Sequence, residues 1–350
     1  MTSLRGRAFS ILVTGGSGFL GRSVVSEFLL KESPVQVTKI RILDITPYPG
    51  DLPDGRVEVM EGDVRNYKEV REACRDMDMV IHAAAIVDWG TKPEHEVFDV
   101  NVTGTENVIR ACREEGVGHL LYTGSLDAVH TGKPLVDIDE SWPYPEKHSN
   151  MYCRSKYLSE KLVLKANGQK LKTCVLRPSD IYGEADPYHI PALINMARNG
   201  FYVRLGGGRA KCQHVYVRNM AYAHVLAARA LMADDCVVCG QAYFITDGPG
   251  TNFFTFFDQI VRGAGYRIRP ENLWLPRWLA YSLGTMSEFA AILVRPFKYY
   301  QPKFSRFAVI YTCTDFTFRS NKARKDFGYI PKYSEAEALE NTIRYYRKSV

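Results

Sequence analysis

The amino-acid sequence predicts an α/β protein built on a doubly wound parallel sheet, with a second, smaller domain interleaved towards the C-terminus. An apolar run leads directly into a glycine-rich turn at residues 11–21. Strand and helix signals then alternate as far as Thr123, and the pattern changes after Pro178. Strands that alternate with helices form parallel sheets whose two faces the helices cover. A chain of 350 residues is long enough for both domains.

The glycine-rich turn reads Ile-Leu-Val-Thr-Gly-Gly-Ser-Gly-Phe-Leu-Gly over residues 11–21. Gly15 permits a tight turn, Gly18 lets the backbone approach a pyrophosphate, and Gly21 lets the next helix pack closely on the strand. Free N–H groups at the start of that helix attract phosphate groups. Asp44 closes the next apolar run at about the separation expected of a carboxylate that binds an adenosine ribose. The stretch therefore predicts a Rossmann-type dinucleotide site.

Further residues near the ends of the predicted strands complete this site. Asp63 is placed to meet the adenine, and the small side chains at 83–85 leave room for a cofactor. The predicted cofactor-binding residues are Gly15, Ser17, Gly18, Phe19, Leu20, Gly21, Asp44, Asp63, Val64, Ala83, Ala84, Ala85, Lys156 and Pro178. NAD is the expected cofactor because Asp44 repels a 2′-phosphate, whereas Arg41 nearby would favour NADP.

The remaining elements follow in chain order. Strands are predicted at 56–60, 79–85 and 120–123, helices at 67–75 and 98–115, and a segment that returns to the first domain at 215–232. The predicted domain boundaries are 1–178 for NAD binding, rejoined by about 213–247, with 179–212 and 248–350 for substrate binding.

Composition indicates a soluble globular protein, with 46% hydrophobic and 24% charged residues and a formal net charge of +6. Basic residues are scattered except at 295–306 and at the C-terminus, so no nucleic-acid partner is expected. No metal site is predicted, because Cys236 and Cys239 lack a second ligand pair and are expected to be free thiols. Cysteines without a disulfide pattern, and no long apolar segment before the first strand, predict a cytoplasmic location or a cytosol-facing membrane surface.

Ser125, Tyr152 and Lys156 carry the predicted chemistry. A spacing of four residues puts Tyr152 and Lys156 on one helix face. A phenol with its ordinary pKa of ~10 is a poor base at neutral pH, and a nearby ammonium and nicotinamide cation are expected to lower that pKa. Ser125 would hydrogen-bond the substrate oxygen while Tyr152 takes or gives a proton and hydride moves to or from the cofactor.

These motifs resemble those of the extended short-chain dehydrogenases/reductases. The stretches that carry the resemblance are 14–21, 101–107 (Asn-Val-Thr-Gly-Thr-Glu-Asn) and Tyr152-x-x-x-Lys156. The resemblance implies that Ser125, Tyr152 and Lys156 are catalytic, with Asn101 supporting the active site or a proton relay. Asn101 has a second interpretation, in which it only ties backbone segments together.

Within that superfamily the sequence is most similar to the 3β-hydroxysteroid dehydrogenases and the sterol 4-carboxylate 3-dehydrogenases. The similar stretches lie at 155–168, 176–183, 215–224, 293–296 and 325–329. Residues 123–125 read Thr-Gly-Ser where such enzymes more often carry Thr-Ser-Ser, a difference that concerns substrate fit. The resemblance implies an NAD-dependent oxidoreductase that oxidises the 3β-hydroxyl of a steroid or sterol to the 3-ketone, with isomerisation or decarboxylation as open second steps.

Two other functions stay open. A sugar-nucleotide epimerase or dehydratase would share the scaffold, but it would need polar groups for a diphosphate where this sequence has aromatic and apolar residues. A non-catalytic NAD-sensing protein could have lost Tyr152 or Lys156, and both are present.

The C-terminal region carries aromatic residues that would suit a steroid, with an ordinary aromatic core as the alternative. These residues are Phe253, Phe254, Phe256, Phe257, Trp274 and Trp278. The run Gly206 to Gly208 is expected to be a flexible turn, with substrate gating as the alternative.

Residues 278–294 predict a helix that is too short to cross a bilayer and is interrupted by Glu288. Its polar side is predicted to be Ser282, Thr285 and Glu288, with Leu279, Leu283, Met286 and Leu293 facing away, and Arg295, Lys298, Lys303 and Arg306 following. This pattern predicts reversible, peripheral membrane association. The alternative is that this helix covers the core of the substrate domain. Separately, the protein is expected to form a homodimer.

Overall fold

A computed structural model describes residues 9–89, 92–294 and 305–347. The sequence features at 295–304 and at the last three residues, including Arg295, Lys298 and Lys303, lie outside the described residues. The strands are β1 (Phe9–Thr14), β2 (Val37–Asp44), β3 (Val57–Glu61), β4 (Met79–His82), β5 (His119–Thr123), β6 (Leu135–Ile138), β7 (Lys172–Pro178), β8 (Asp180–Tyr182), β9 (Arg204–Leu205), β10 (His214–Tyr216), β11 (Gln241–Ile245), β12 (Trp274–Leu275) and β13 (Phe316–Phe318).

The helices are α1 (Phe19–Leu29), α2 (Tyr67–Cys74), α3 (Glu94–Phe98), α4 (Gly104–Glu115), α5 (Met151–Ala166), α6 (His189–Arg198), α7 (Val217–Leu231), α8 (Phe253–Gly263), α9 (Arg277–Val294), α10 (Arg306–Thr312), α11 (Asn321–Phe327) and α12 (Glu335–Tyr346). A π-helical turn (Asp99–Thr103) joins α3 to α4, and a 3₁₀ turn (Leu126–Val129) follows β5.

The core of the molecule is a seven-stranded sheet in the order β11–β7–β5–β4–β1–β2–β3, and all its strands run parallel. Ile11 and Val13 of β1 pack on one face with α1 and α7, while Leu12 packs on the other with α2, α4 and α5. This alternation follows from the two-residue period of a strand covered on both faces. The predicted Rossmann-type, doubly wound fold is confirmed.

The strand order reverses between β1 and β4, and such a reversal opens a crevice beyond the carboxyl ends of the strands. The strand predicted at 79–85 ends at His82, so residues 83–88 form an irregular segment at that edge. The helix predicted at 98–115 begins earlier, at Glu94, and contains the π-helical turn. Both differences lie beside the crevice.

Residues beyond β7 form a second hydrophobic cluster, centred on α6, α8 and α12, with Ile190, Phe257 and Ala338 among its members. Two pairs of short parallel strands accompany it, β8 with β10 and β9 with β12, while β6 pairs in parallel with β13 in a separate apolar cluster. Helix α7 packs on the large sheet, and β11 is the edge strand of that sheet next to β7. The numerical domain boundaries given above stay a prediction.

The expectation of two free thiols at Cys236 and Cys239 is wrong. A tight loop between α7 and β11 brings their Cα atoms to 5.5 Å, and a disulfide joins the side chains. The other six cysteines are free. Cysteine usage therefore gives no support to a reducing compartment, and the location stays a prediction.

In the part of the chain that the structure describes, no helix has the length and apolar character needed to span a membrane. Helix α9 packs on α10 through small residues, with Ala280 buried and a Cβ at Gly284 placed only 3.0 Å from the Arg306 nitrogen. Glu288 turns inwards and pairs with Arg306 at 2.6 Å, so it does not share an outer polar side with Ser282 and Thr285. The outer face of α9 is therefore available for other contacts.

Candidate active site

The glycine turn between β1 and α1 forms a close-fitting cradle. Gly15 has a φ of 72°, and a Cβ there would lie 2.8 Å from the Ala84 backbone. A Cβ at Gly21 would lie 2.1 Å from the Gly15 oxygen, so only glycine allows this approach of helix to turn. No side chain caps the first turn of α1, and the Ser17 hydroxyl is buried without a partner among the described residues. These features fit a bound pyrophosphate.

Two predicted cofactor carboxylates flank this turn. Asp44 accepts hydrogen bonds from the Ser17 amide at 3.0 Å and from the amide and hydroxyl of Thr46 at 3.0 and 2.9 Å. Asp63 pairs with Arg65 at 2.5 Å, and this guanidinium holds the pKa of Asp63 below its usual range. Arg41 points elsewhere, towards Glu58 and the carbonyls of Ala73 and Arg75. Arg41 is therefore occupied, which weakens the case for NADP.

One cavity of about 570 Å³ lies at the carboxyl edge of the sheet, within the range of small-molecule sites. It brings together almost all the predicted site residues. Those that line it are Gly15, Gly18, Phe19, Leu20, Gly21, Asp44, Asp63, Val64, Ala83, Ala84, Ala85, Ser125, Tyr152, Lys156 and Pro178. Ser17 and Asn101 do not line it.

Ser125 caps the 3₁₀ turn after β5 and is bonded to a buried carboxyl that sequence reasoning missed. Its hydroxyl donates to Asp127 Oδ2 at 2.8 Å and accepts from the Asp127 amide at 3.1 Å. Burial raises the pKa of Asp127 to about 6, partly offset by the Ser125 hydrogen bond. A Ser-x-Asp signal was available in the sequence, because Ser at an N-cap commonly bonds the amide two residues on.

Tyr152 and Lys156 lie one turn apart on α5. Asn150 caps the start of this helix, where its side chain accepts a hydrogen bond from the Cys153 amide at 2.8 Å. The Lys156 ammonium donates to the Thr123 carbonyl at 2.8 Å and to the Tyr122 hydroxyl at 3.3 Å. Burial lowers the pKa of Lys156 to about 8. The position of the pair is as the spacing predicts.

The expected lowering of the Tyr152 pKa depends on the nicotinamide cation as well as on Lys156, and it stays a prediction. Burial and the nearby Asp127 charge raise the pKa of Tyr152 well above its ordinary value, and the neighbouring Ser125 hydroxyl offsets only part of this. The chain's own groups therefore oppose the expected lowering, which counted the charges of Lys156 and the nicotinamide but neither the desolvation of the phenol nor the carboxyl of Asp127.

Asn101 lies on the π-helical turn behind the site. Its side chain accepts from the Ile86 amide at 2.8 Å and donates to the Ile86 carbonyl at 3.0 Å and to the Ser155 hydroxyl at 2.9 Å. It thus ties the irregular segment after β4 to α5. These contacts are the ones expected if Asn101 joins backbone segments. A part for Asn101 in a proton relay stays a prediction.

The far wall of the cavity is aromatic, but not from the residues that the sequence suggested. Phe253, Phe254, Phe256 and Phe257 are buried in the second cluster, Trp274 lies at its edge, and Trp278 is 71% exposed. None of these six lines the cavity, because α8 directs its phenylalanines into the domain core. The wall is formed instead by Trp89, Tyr188, Phe307 and Tyr311.

Trp89 is the centre of this wall. Its ring meets those of Tyr311 at 4.9 Å, His189 at 5.2 Å and Phe307 at 5.8 Å, all edge-on. Phe307 and Tyr311 are one turn apart on α10, a spacing that could have indicated their shared face. Gly206 to Gly208 line a separate cavity of about 300 Å³, which gives no support to gating of this site.

Within the described residues, Asp127, His130 and Cys153 form a group whose potential metal-ligating atoms lie within 4.8 Å of one another. One Asp127 oxygen is already bonded to Ser125, and His130 Nδ1 lies 3.1 Å from the Ser149 hydroxyl. The absence of a metal centre stays a prediction.

The fold and this site define a class, that of nucleotide-dependent oxidoreductases with a Ser–Tyr–Lys constellation on a doubly wound sheet. The sequence profile of the 3-beta hydroxysteroid dehydrogenase/isomerase family matches residues 12–277. The chain belongs to this family.

Individual relatives agree with that membership. Short-chain dehydrogenase/reductase family 42E member 1 of Danio rerio is 35% identical over 351 residues, covering 97% of this chain and 88% of the relative. The 3 beta-hydroxysteroid dehydrogenase type 7 of Homo sapiens is 36% identical over 354 residues, covering 95% and 94%. A dTDP-glucose 4,6-dehydratase structure from Streptomyces venezuelae has a TM-score of 0.74 at 21% identity, covering 97% of each chain, and this likeness shows the fold alone.

Proposed function

We propose that this chain is an NAD-dependent enzyme that oxidises the 3β-hydroxyl of a steroid or sterol to the 3-ketone. The observation that carries the proposal is that the glycine turn and the trio Ser125, Tyr152 and Lys156 line one cavity, whose far wall is aromatic. Family membership supports the reaction type, and the human relative's name supports the substrate class.

The chain's own residues suit NAD. The glycine turn and the uncapped start of α1 would hold the pyrophosphate, and Asp44 would accept hydrogen bonds from the adenosine ribose. When bound, NAD supplies the hydride acceptor. The negative charge of Asp44 and the occupied guanidinium of Arg41 both disfavour a 2′-phosphate.

Proton transfer is assigned to Tyr152. With its raised pKa, the side chain is a neutral phenol, suited to donate a proton to a 3-ketone. In the oxidative direction the same oxygen, once ionised, takes the hydroxyl proton. Lys156 keeps its charge close to the site and is fixed by the Thr123 carbonyl.

Ser125 would orient the substrate oxygen. Its hydroxyl proton is directed to Asp127, and one of its lone pairs is used by the Asp127 amide. On substrate binding the same hydroxyl proton can turn from Asp127 to the substrate oxygen, which leaves the substrate's own O–H for Tyr152. This arrangement holds the alcohol next to Tyr152 before oxidation.

The two alternative functions are less well supported. The substrate end of the cavity presents Trp89, Phe307 and Tyr311, and the His189 imidazole there is paired with Asp180, whereas a sugar nucleotide needs several cations and amides for its diphosphate. The catalytic trio is complete and faces the cavity, which a protein that only senses NAD would not require.

We further propose that α9 attaches the protein to a membrane surface. Its outer face exposes large apolar side chains, namely Trp278 (71% exposed), Leu283 (42%), Met286 (67%), Phe289 (61%) and Leu293 (59%). The hydroxyls of Ser282 and Thr285 donate to the carbonyls of Trp278 and Tyr281, at 3.0 and 2.9 Å, which reduces their need for water. An exposed apolar helix face of this kind suits the membrane interface, where sterols dissolve. A cytosol-facing surface and a homodimer remain part of the proposal.

The function is tested by following cofactor reduction with a panel of 3β-hydroxysteroids, a sugar nucleotide, and either NAD or NADP. We expect NADH to form only with steroids, and kcat/KM to be higher with NAD than with NADP. Mass analysis of the product distinguishes a simple 3-ketone from an isomerised or decarboxylated one. Turnover of the sugar nucleotide alone would contradict the proposal.

A further inference from the structure

An ionic pair lines the cavity beyond the catalytic trio. His189 Nε2 lies 2.7 Å from Asp180 Oδ1, and the side chains are only 10% and 8% exposed. The other Asp180 oxygen lies 3.3 Å from Nδ1 of His214, which is stacked on Phe256 at 4.1 Å. Both oxygens of the carboxylate therefore face imidazole rings, although only Oδ1, on the His189 side, is hydrogen-bonded to one.

The His189 ring is fixed but one of its nitrogens is free. Trp89, Phe253 and Phe257 surround the ring with centroid distances of 5.2, 5.3 and 5.4 Å. Asp180 holds Nε2, whereas Nδ1 has no hydrogen-bond partner among the described residues. The ring itself lines the cavity. A buried ion pair seldom adds net stability to a fold. The pair of His189 and Asp180 is therefore better explained by a role in ligand binding, in which His189 Nδ1 donates a hydrogen bond into the cavity.

Charges around this pair keep the imidazole protonated at neutral pH. The carboxylates of Asp180 and Asp186 raise the pKa of His189 to about 8, against the opposing effect of burial. The groups that face the pair from neighbouring elements are Asp127 after β5, Asp186 and Tyr188 before α6, Cys212 before β10, His214 on β10 and Tyr311 on α10. Nδ1 therefore carries a proton that it can donate.

We propose that His189, oriented by Asp180, is a specificity residue that donates a hydrogen bond to a second oxygen of the substrate, distinct from the 3-hydroxyl. The inference rests on the proposed steroid function and assigns to His189 the selection among its substrates. Aromatic rings such as those of Trp89 and Phe307 form much of the wall beside His189 and Asp180, and a few placed polar groups in such a pocket fix the orientation of a ligand. The second oxygen belongs to a hydroxyl, a ketone or a carboxylate, and the experiment separates these.

The test measures binding rather than turnover. Pairs of 3β-hydroxysteroids that differ by one oxygen group (hydroxyl against hydrogen, ketone against methylene, carboxylate against methyl) are titrated calorimetrically into the full chain with NADH. We expect at least one oxygenated partner to bind about 10- to 100-fold more tightly, as a hydrogen bond to a charged group allows. His189→Phe keeps an aromatic ring and should remove this preference, while the oxygen-free partner binds as before.

Two further variants separate recognition from structure. His189→Asn places an amide donor near the position of Nδ1 and should restore part of the preference. His148 does not line the cavity, so His148→Phe should leave the preference for the oxygenated steroid unchanged. Thermal melts check that each variant is folded. The inference is wrong if the wild-type protein binds both steroids of every pair with equal affinity. It is also wrong if His189→Phe still binds the oxygenated steroid more tightly.

The pH dependence of the preference identifies the oxygen group. Above pH 8 the remaining imidazole proton stays on Nε2 with Asp180, so Nδ1 becomes an acceptor. A preference for a ketone or carboxylate should then fall, whereas a preference for a hydroxyl should persist, because the hydroxyl donates to Nδ1. Because binding is read without turnover, a protein that shows the His189-dependent preference but oxidises no steroid contradicts the proposed function alone.

Discussion

At the scale of single residues, Tyr152 shows how burial can outweigh charge. Its spacing from Lys156 places both side chains on the cavity, yet the ammonium is engaged by Thr123 and Tyr122 rather than by the phenol. Desolvation and the carboxyl of Asp127 keep the phenol neutral. A neutral phenol is suited to the role of proton donor that we propose for Tyr152.

Replacing Tyr152 by Phe removes the oxygen that transfers the proton and little else. We expect turnover to fall by about 10²–10⁴, the usual contribution of a general acid or base. NADH affinity, measured by fluorescence titration, should stay close to the wild-type value because the glycine turn is untouched. A variant that keeps most of the wild-type rate would remove Tyr152 from its assigned role.

At the scale of elements, α5 is joined to β7 by a buried ion pair. Arg177 lies 2.5 Å from Glu160, with side chains 3% and 0% exposed, and the Tyr144 hydroxyl donates to the same carboxylate at 2.5 Å. Glu160 is one turn beyond Lys156 on α5, so the pair also fixes the helix that carries the catalytic residues.

Arg177→Met leaves the Glu160 charge buried and uncompensated, and should lower the free energy of unfolding by about 3–5 kcal/mol. The double variant Arg177→Met/Glu160→Leu should lose much less, because no unpaired charge remains. Arg110→Met breaks an exposed pair with Glu114 and serves as the matched control, with little change expected. Urea unfolding measures all three, and equal losses in the single and double variants would contradict the account.

Helix α9 is the second element whose surroundings lead to a prediction. Leu283→Glu/Met286→Glu adds two charges to its exposed apolar face, and should weaken binding to anionic liposomes by about tenfold or more, since burial of such side chains contributes roughly 1.5–3 kcal/mol each. Val237→Glu/Ile330→Glu adds the same charge at exposed apolar positions elsewhere, 58% and 56% accessible, and should bind like the wild type. Flotation gives the bound fraction. A wild-type protein that stays in the soluble fraction would disprove attachment through α9.

At the scale of the whole molecule, local sequence patterns were enough for the sheet and the cofactor end of the site. The glycine turn, Asp44 and the Tyr–Lys spacing each depend on neighbours in sequence, and all line the cavity. The substrate end depends on contacts between distant segments. Trp89 meets Tyr311 across more than two hundred residues, and His214 approaches Asp180 because β10 pairs with β8.

The errors have the same origin. The phenylalanines of α8 have the composition of a steroid pocket, but their direction is set by packing against α6 and α12, which no local pattern contains. The disulfide between Cys236 and Cys239 likewise depends on the shape of one loop. Whether an aromatic residue lines a cavity or fills a core is a property of the assembled fold.

Hydride transfer from the steroid is the central claim, and isotope transfer tests it most directly. A 3β-hydroxysteroid that carries deuterium at C3 is incubated with NAD and the protein, and the reduced cofactor is analysed by mass spectrometry. We predict deuterium in the reduced cofactor, a 3-ketone as the first steroid product, and loss of both in Tyr152→Phe. Reduced cofactor that contains no deuterium, or deuterium transfer only from a sugar nucleotide labelled on its sugar ring, would contradict the account.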